Sequence, residues 1–160
     1  FTEYKSSNHI DPEILQQFPL AEEVTELLGI TLLSMKEYEA DDGIASVCTL
    51  FENEFNKIII GSLDKDLMQC VKKDKIIMYS TRYKNFTNEN GVFEKFGVSP
   101  QQIPDFLALI GDSSDGIPGM QGIGQKTAAE LLQKYKNIME IYENIEIWKS
   151  FLDDIKFLQH

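Results

Sequence analysis

Apolar residues recur at helical spacing over several separate stretches of the chain. The first begins at Asp11-Pro12, an N-cap acid followed by a proline at the first helical position. Pro19 should break or kink this helix, and Gly29 stands where a helix commonly ends. The same periodicity predicts further helices over 38–52, 67–71, 91–96, 99–110, 125–135 and 137–158.

Shorter apolar runs bounded by turn residues predict strands. Residues 58–60 are three consecutive isoleucines, which favours a strand buried on both faces, as in a parallel sheet. Residues 76–79 predict a second strand and residues 30–33 a short third one, whereas the polar residues 81–90 predict a loop. Since strands and helices alternate first and helices dominate afterwards, we expect an α/β core with a parallel sheet followed by a helical region.

The composition narrows the class of protein. A length of 160 residues suits one compact domain, and no apolar run reaches the roughly 20 residues that a membrane helix needs. We therefore expect no membrane association. Cys48 and Cys70 stand beside apolar residues and are interpreted as reduced core thiols. Because the sequence starts with Phe1 instead of Met, we expect further chain upstream.

The net charge of −11, taken alone, argues against a nucleic-acid partner, whose phosphates attract Lys and Arg, so the placement of the acids becomes the question. They fall into three groups. Each group has an ordinary structural explanation, either the dipole at a helix start or local hydrogen bonds in a turn. The groups are Glu39, Asp41 and Asp42 in the first turn of a predicted helix, Asp64 and Asp66 directly after the strand 58–60, and Asp112 and Asp115 after another helix.

The placement of the acids favours a shared site. Glu39 and Asp42 lie three residues apart and so share a helix face, and Asp64 and Asp66 point the same way if the chain there is extended. The second pair also follows a probable parallel strand, at the sheet edge where such folds place their sites. Carboxylates without Cys or His suit Mg²⁺ or Mn²⁺, and several could hold two ions about 3.5–4 Å apart. The hypothesis requires the three groups to meet.

A glycine-rich stretch precedes the helix predicted over 125–135. Gly122-Ile123-Gly124 would let the isoleucine enter the core while the backbone amides face outward at a helix N-terminus, an arrangement that favours phosphate. Such contacts would hold the DNA backbone without reading its sequence. The stretch is not a Walker loop, because Gln125 occupies the position of the required lysine. A plain helix–turn–helix connector remains the alternative.

Four motifs in order carry a family resemblance. The chain resembles the 5′-nuclease (flap endonuclease) family, and within it the 5′→3′ exonuclease domain of bacterial DNA polymerase I. The likeness covers about residues 4–132. The motifs are Tyr38-Glu39-Ala40-Asp41-Asp42, Ser62-Leu63-Asp64-Lys65-Asp66-Leu67, Leu109-Ile110-Gly111-Asp112-Ser113-Ser114-Asp115-Gly116-Ile117-Pro118-Gly119 and Gly122-Ile123-Gly124-Gln125-Lys126-Thr127-Ala128.

The resemblance implies an organisation and a set of roles. A single domain fragment would contain the end of an arch at 1–10, a PIN-like metal-binding core at 11–80 and a helical region at 91–160. That region would include a helix–hairpin–helix at about 117–132. The implied roles are the following: Glu39 and Asp41 hold a first metal with Asp42 close by; Asp64, Asp66 and Asp115 hold a second with Asp112 in or near its shell; Lys5 approaches the scissile phosphate; and Gly122, Gly124, Gln125, Lys126 and Thr127 grip DNA.

The implied activity is that of a structure-specific 5′→3′ exonuclease and flap endonuclease, working by two-metal phosphodiester hydrolysis. Its cofactors would be two Mg²⁺ or Mn²⁺ ions per complete site, with K⁺ at the hairpin, and its partner DNA with a 5′ flap or a 5′ end at a duplex junction. A monomer acting in DNA replication and repair is implied, with the bacterial cytoplasm as the default location and an organelle left open.

The chain departs from the family pattern at three places. Two further metal-ligand aspartates and the first strand of the sheet would precede Phe1, Asn8 stands where a basic residue is frequent, and Gly116 stands where Asn is usual. We therefore expect the chain by itself to be impaired in cleavage. A non-catalytic DNA-binding helix–hairpin–helix module is the alternative function. A metal-dependent phosphatase or RNA-cleaving nuclease is a third, but it leaves the glycine hairpin without a role.

Overall fold

The computed structural model describes residues 11–144. Seven helices are described in that range: α1 Pro12–Leu15, α2 Phe18–Leu27, α3 Ala40–Phe51, α4 Glu89–Phe96, α5 Ile103–Ile110, α6 Gln125–Lys134 and α7 Ile138–Glu143. Five strands accompany them: β1 Ile58–Gly61, β2 Ile76–Ser80, β3 Asn85–Thr87, β4 Gly111–Asp112 and β5 Ile117–Pro118. Two 3₁₀ turns complete the described elements: Asp66–Cys70 and Pro100–Gln102.

The main sheet has the order β1-β2-β3. β1 and β2 are parallel, with Ile58 opposite Ile76 and Gly61 opposite Tyr79, which confirms the predicted parallel pairing. β3 returns antiparallel to β2 through a tight turn, with Phe86 opposite Tyr79. Because β1 and β2 run in the same direction, the loops that follow them leave the sheet at the same edge.

The core lies between the sheet and the helices that follow it. Ile60 and Met78 of the sheet belong to the same buried cluster as Phe106 and Leu109 of α5, which are fully buried. α6 packs against α5 and buries Ala128, Ala129, Leu131 and Leu132, as its helical periodicity predicts. The 3₁₀ turn Asp66–Cys70 packs on α3 and α5 and so connects β1 to the helical region.

Several sequence predictions are confirmed. α3 begins after Glu39, α1 and α2 are separate helices with Pro19 in the first turn of the second, and Gly29 adopts a left-handed φ of 74° where α2 ends. Cys48 and Cys70 are free thiols. Within residues 11–144 no helix is long and apolar enough to cross a membrane. The predicted helix over 137–158 is described only as α7, since the rest of it lies outside the described residues.

Two predictions about strands are wrong. Residues 30–33 form no strand, because they pair with no strand in the described range, and Ile30 stays 57% exposed. β1 is not buried on both faces: Ile60 is buried, but Ile59 on the opposite face is 53% exposed because no described element covers it. β1 is also the edge strand of the described sheet.

The prediction of a loop over 81–90 is also wrong in part. This stretch contains β3 and the start of α4, which Asn88 caps through its side chain by accepting a hydrogen bond from the amide of Gly91. β3 is short, and its pairing with β2 depends on a turn of four polar or aromatic residues that carries no glycine. Lys84 in that turn takes the left-handed conformation with φ 52°.

Candidate metal centre

Three carboxylates from two separate parts of the chain converge beside the carboxyl edge of the main sheet. One carboxylate oxygen each from Asp66, Asp112 and Asp115 lies within 4.8 Å of the others. Asp66 opens the 3₁₀ turn after β1, Asp112 lies in β4, and Asp115 follows in the turn to β5. Oxygen ligands at this spacing suit a hard divalent cation.

Glycines fix the position of Asp112. Gly111 precedes it with a φ of 78°, a conformation that side chains other than glycine rarely adopt. A Cβ at Gly111 would lie 2.2 Å from the amide nitrogen of Gly119, and a Cβ at Gly119 would lie 2.2 Å from the carbonyl oxygen of Ile110. The two backbones therefore approach closely only because both residues lack side chains, and this contact holds β4 against β5.

Asp66 gives the clearest sign that the cluster is suited to bind a cation. Its Oδ1 is buried and has no hydrogen-bond partner in the described part of the chain, a costly state for a carboxylate oxygen. Burial raises the pKa of Asp66, and the neighbouring charges of Asp64 and Asp112 act in the same direction. A bound cation would supply the missing partner and neutralise the repulsion. The residues present therefore fit a divalent metal ion.

Asp112 is stabilised by partners of its own. The ammonium of Lys65 lies 2.7 Å from Asp112 Oδ2, and the Ser114 hydroxyl and amide donate to Oδ1. The hydrogen bond from Lys65 first, and those from Ser114 next, lower the pKa of Asp112 to about 2. Asp112 is thus ionised throughout the neutral range, and its side chain is only 10% exposed.

Asp64 lies in the same cleft as Asp66. The chain between them is not extended as expected, because it turns there: Lys65 is helical, and Asp64 Oδ1 accepts the amide hydrogen of Asp66 at 3.0 Å. Asp64 lines a cleft of about 560 Å³ together with Asp66, Asp112 and Asp115. It remains within the acidic cleft as an exposed carboxylate.

The acids at the start of α3 are not part of this cluster. Glu39 and Asp42 form a capping box, in which the Glu39 amide donates to Asp42 Oδ2 at 3.0 Å and the Glu39 side chain accepts from the amide of Asp42. Asp41 accepts from the Asp42 amide at 3.1 Å. None of the three lines the cleft that holds Asp66. Their capping contacts agree with the ordinary structural explanation for acids in a first turn.

The glycine hairpin has the form that its sequence predicts. Ile123 packs against the core while Gly122 and Gly124 stay exposed, and α6 begins at Gln125. Lys126 is 91% exposed, and its one ion pair with the residues that the structure describes is a 4.0 Å contact with Glu130. Thr127 is half-buried. Lys5 lies outside the described residues.

Sequence reasoning overlooked the basic and aromatic residues of the cleft. Arg82 and Tyr83 in the turn between β2 and β3, and Lys95 in the last turn of α4, line it beside the carboxylates. Lys65 has no predicted role in the sequence analysis, although its position between two candidate ligands is a signal that it could pair with an acid in their site. Arg82 also stands out in the sequence, because it is the sole arginine of the chain.

Two known protein-family models match this sequence. Residues 1–97 match the family model for the 5′-3′ exonuclease N-terminal resolvase-like domain, and residues 98–156 match that for the 5′-3′ exonuclease C-terminal SAM fold. The boundary falls directly after α4.

Relatives in other organisms carry consistent names. The 5′-3′ exonuclease of Aquifex aeolicus is 41% identical over 94% of this chain and 51% of its own length, and that of Bacillus subtilis is 38% identical over 92% and 51%. DNA polymerase I of Mycobacterium tuberculosis is 37% identical over 96% of this chain and 18% of its own length. The chain thus spans about half the length of the curated exonucleases that it matches.

Solved structures show the same fold. The T5 D15 protein co-crystallised with metal ions superposes with a TM-score of 0.78, at 22% identity over 89% of this chain and 58% of that one. The catalytic core of Rad2 in complex with DNA substrate superposes with a TM-score of 0.56, at 19% identity over 93% of this chain and 46% of that one. Since the two family models together match almost the whole sequence, the chain belongs to the 5′-3′ exonuclease family.

Proposed function

We propose that the whole protein is a divalent-metal-dependent, structure-specific 5′→3′ exonuclease and flap endonuclease, and that this chain supplies part of its metal centre. The observation that carries the proposal is the convergence of Asp66, Asp112 and Asp115 around a buried, unpartnered carboxylate oxygen. Membership of the 5′-3′ exonuclease family and the names of its relatives support the reaction class.

Asp66, Asp112 and Asp115 would hold one Mg²⁺ or Mn²⁺ ion, with Asp64 completing the acidic cleft. When bound, the ion supplies Lewis acidity for hydrolysis of a phosphodiester. The chain's own contribution is to fix three ligands from two segments and to keep Asp112 ionised through Lys65 and Ser114.

A second ion would require ligands beyond this cluster. We propose Glu39 and Asp41 for that role, with Asp42 close by, together with ligands supplied by other segments of the whole protein. Asp42 already serves the backbone of Glu39 in a capping box, so its part would be to orient the helix start more than to bind the ion. Lys5 is proposed to approach the scissile phosphate.

The proposed substrate is DNA with a 5′ flap or a 5′ end at a duplex junction, bound by a monomer. Gly122, Gly124, Gln125, Lys126 and Thr127 would form a helix–hairpin–helix that holds duplex phosphates and a K⁺ ion. Support comes from the exposed glycines on either side of Ile123, which leave the amides at the start of α6 open to an anion. The domain division proposed is a metal-binding core at 11–80 and a helical region at 91–160.

The proposal is tested by cleavage of a 5′-flap DNA by the whole protein in Mg²⁺. Asp66→Asn keeps the size of the side chain but removes its charge, so we expect the rate to fall about a hundredfold or more. Asp64→Ala combined with Asp66→Ala should abolish cutting while leaving DNA binding largely intact. Glu54→Gln, at an exposed acid outside the cleft, is the matched control and should cut normally.

Mn²⁺ binding, measured by electron paramagnetic resonance, tests the proposed metal site independently of DNA cleavage. Asp66→Asn should weaken it and Glu54→Gln should not. Unchanged cleavage by Asp66→Asn would contradict the proposed centre. Tight DNA binding by a wild-type protein that cuts no flap in Mg²⁺ or Mn²⁺ would favour a non-catalytic DNA-binding module instead.

A further inference from the structure

The acidic cleft has a basic rim, which we call the cationic rim and define as Arg82 and Lys95. The rim follows from the sheet topology. β1 and β2 are parallel, so the turn after β2 leaves the sheet at the same edge as the loop that carries Asp66 after β1. That turn holds Arg82, and the last turn of α4 brings Lys95 to the same cleft.

Arg82 and Lys95 are held in place without being neutralised. The guanidinium of Arg82 lies 5.6 Å from the ring centroid of Tyr83, and the ammonium of Lys95 lies 5.0 Å from that of Phe96. Neither cation forms a salt bridge with an acid of the described range 11–144. Both side chains are exposed. The cationic rim therefore presents two charges that remain available to a ligand.

The position of Arg82 is informative because the chain has a large excess of acidic residues. The sequence has a net charge of −11 and a single arginine, and that arginine lies at the cleft that contains the metal-binding carboxylates. Guanidinium offers a planar fork that matches two phosphate oxygens. The floor of the cleft repels a polyanion, so a DNA strand that reaches it needs cations close to its path.

Tyr83 adds a second kind of contact. Its ring is 69% exposed at the same cleft, next to the Arg82 guanidinium. Exposed aromatic rings beside cations are the common means by which proteins hold single-stranded nucleic acid, since every base has a face on which to stack. The turn after β2 thus offers a phosphate contact and a stacking surface side by side.

We propose that the cationic rim binds a phosphodiester of the DNA strand next to the one at the metal centre, and that Tyr83 stacks on a neighbouring base. This inference rests on the proposed function, because it takes DNA as the substrate. It assigns to the turn after β2 and to the end of α4 the positioning of the strand over the carboxylates.

The test measures the affinity of the whole protein for a fluorescent 5′-flap DNA by anisotropy over a series of salt concentrations, with Ca²⁺ replacing Mg²⁺ to limit cleavage. Arg82→Ala and Lys95→Ala should each weaken binding about tenfold at low salt. Each should also reduce the slope of log affinity against log salt by about 0.7–0.9. Arg82→Lys should recover part of the loss, and Tyr83→Ala should weaken binding without changing the slope.

Lys57→Ala is the matched control, since Lys57 is an exposed cation just before β1, at the opposite end of the strand from the cleft. It should leave affinity and slope unchanged. Arg82→Ala and Lys95→Ala variants that behave like Lys57→Ala would overturn the proposal. So would an Arg82→Ala variant whose Mn²⁺ affinity changes more than its DNA affinity, because Arg82 would then serve only as a counter-ion for the acids.

The Mn²⁺-binding and DNA-binding measurements distinguish an error in the proposal for the cationic rim from an error in the proposed function. A wild-type protein that binds neither Mn²⁺ nor flap DNA would contradict the proposed function and, with it, the rim. A wild-type protein that binds both, with rim variants indistinguishable from it, would overturn the rim alone. Weaker DNA binding by the rim variants with unchanged Mn²⁺ binding supports the proposal.

Discussion

The ammonium of Lys65 lies 2.7 Å from Asp112 Oδ2, inside the cluster proposed to hold a metal ion. Lys65 follows Asp64 and precedes Asp66, so one short segment supplies two of the acids and a cation that pairs with a third. Without metal, this pair offsets part of the repulsion among the carboxylates. With metal, the two cations compete for the same set of charges.

Replacing Lys65 by Met should therefore have opposite effects on stability without and with metal. In EDTA we expect the melting temperature to fall by about 2–4 °C, which corresponds to a loss of about 1 kcal/mol for a pair with a partly exposed lysine. Saturating Mn²⁺ should raise the melting temperature more in this variant than in the wild type, because no ammonium competes for Asp112. Differential scanning calorimetry with and without Mn²⁺ measures both quantities.

Lys72→Met is the control for Lys65→Met. Lys72 pairs with Glu52 at 2.5 Å, and neither residue lines the acidic cleft. Its loss should reduce stability slightly but leave the shift caused by Mn²⁺ as in the wild type. Equal Mn²⁺ shifts in the two variants would show that Lys65 does not compete with the metal.

Gly111→Ala should disrupt the proposed metal centre through the backbone. The new Cβ would lie 2.2 Å from the Gly119 amide nitrogen, and φ is 78° at this position. We expect a loss of at least about 3 kcal/mol in the free energy of unfolding, measured by urea denaturation. Gly61→Ala is the control, since a Cβ there meets nothing within 4 Å, and it should change stability by less than about 1 kcal/mol. Similar losses in both variants would contradict this account.

Gly124→Ser should weaken DNA binding without lowering the free energy of unfolding. Serine is a favourable N-cap, and a Cβ at Gly124 meets nothing within 4 Å, so the free energy of unfolding should be unchanged or slightly higher. If DNA phosphates approach the amides at the start of α6, the added side chain should weaken duplex affinity about tenfold. Lys126→Ala, which removes only an exposed contact with Glu130, should weaken it too and reduce its salt dependence. Unchanged affinity in both variants would exclude this hairpin as a DNA contact.

From the raised pKa of the Cys70 thiol we predict how the free energy of unfolding changes at alkaline pH. Burial, followed by the charges of Cys48 and Asp41, raises the pKa of Cys70 from 9.0 to about 11. The folded state holds this proton more tightly, so its contribution to stability is complete below pH 9 and is lost as the pH rises toward 11. The contribution falls by at most about 1.4 kcal/mol per pH unit.

Urea denaturation at several pH values compares the wild type with Cys70→Ala. Other groups that titrate above pH 9 are common to both proteins, so their effects cancel in the difference. The wild type should lose stability more steeply between pH 9 and 11. Parallel curves would mean that the thiol titrates normally in the folded protein.

Local patterns in the sequence correctly predicted the helices and strands whose formation depends on neighbouring residues. α3 and α6 follow from helical periodicity, and the parallel pair β1 and β2 follows from two apolar runs on either side of a short helical turn. β3 escaped prediction because its three residues carry little pattern and its place depends on pairing with β2. Residues 30–33 have the composition of a strand but lack a partner in the described range.

The site was predictable only where separate motifs could be joined by the family resemblance. That resemblance grouped Asp66 with Asp112 and Asp115, which no local pattern could do across more than forty residues. It gave no role to Lys65 or Arg82, whose contacts arise from loops that meet in three dimensions. The turn at Asp64 was missed because a side-chain-to-backbone hydrogen bond replaced the extended conformation assumed there.

Within residues 11–144 the outer edge of β1 pairs with no other strand, which has a consequence for self-association. Ile59 is 53% exposed, and an apolar groove lined by Leu33, Met35 and Val47 runs beside the strand. An uncovered strand edge next to such a groove is a template for intermolecular pairing. A chain in which this edge is unpaired should scatter more light as its concentration rises, which static light scattering measures.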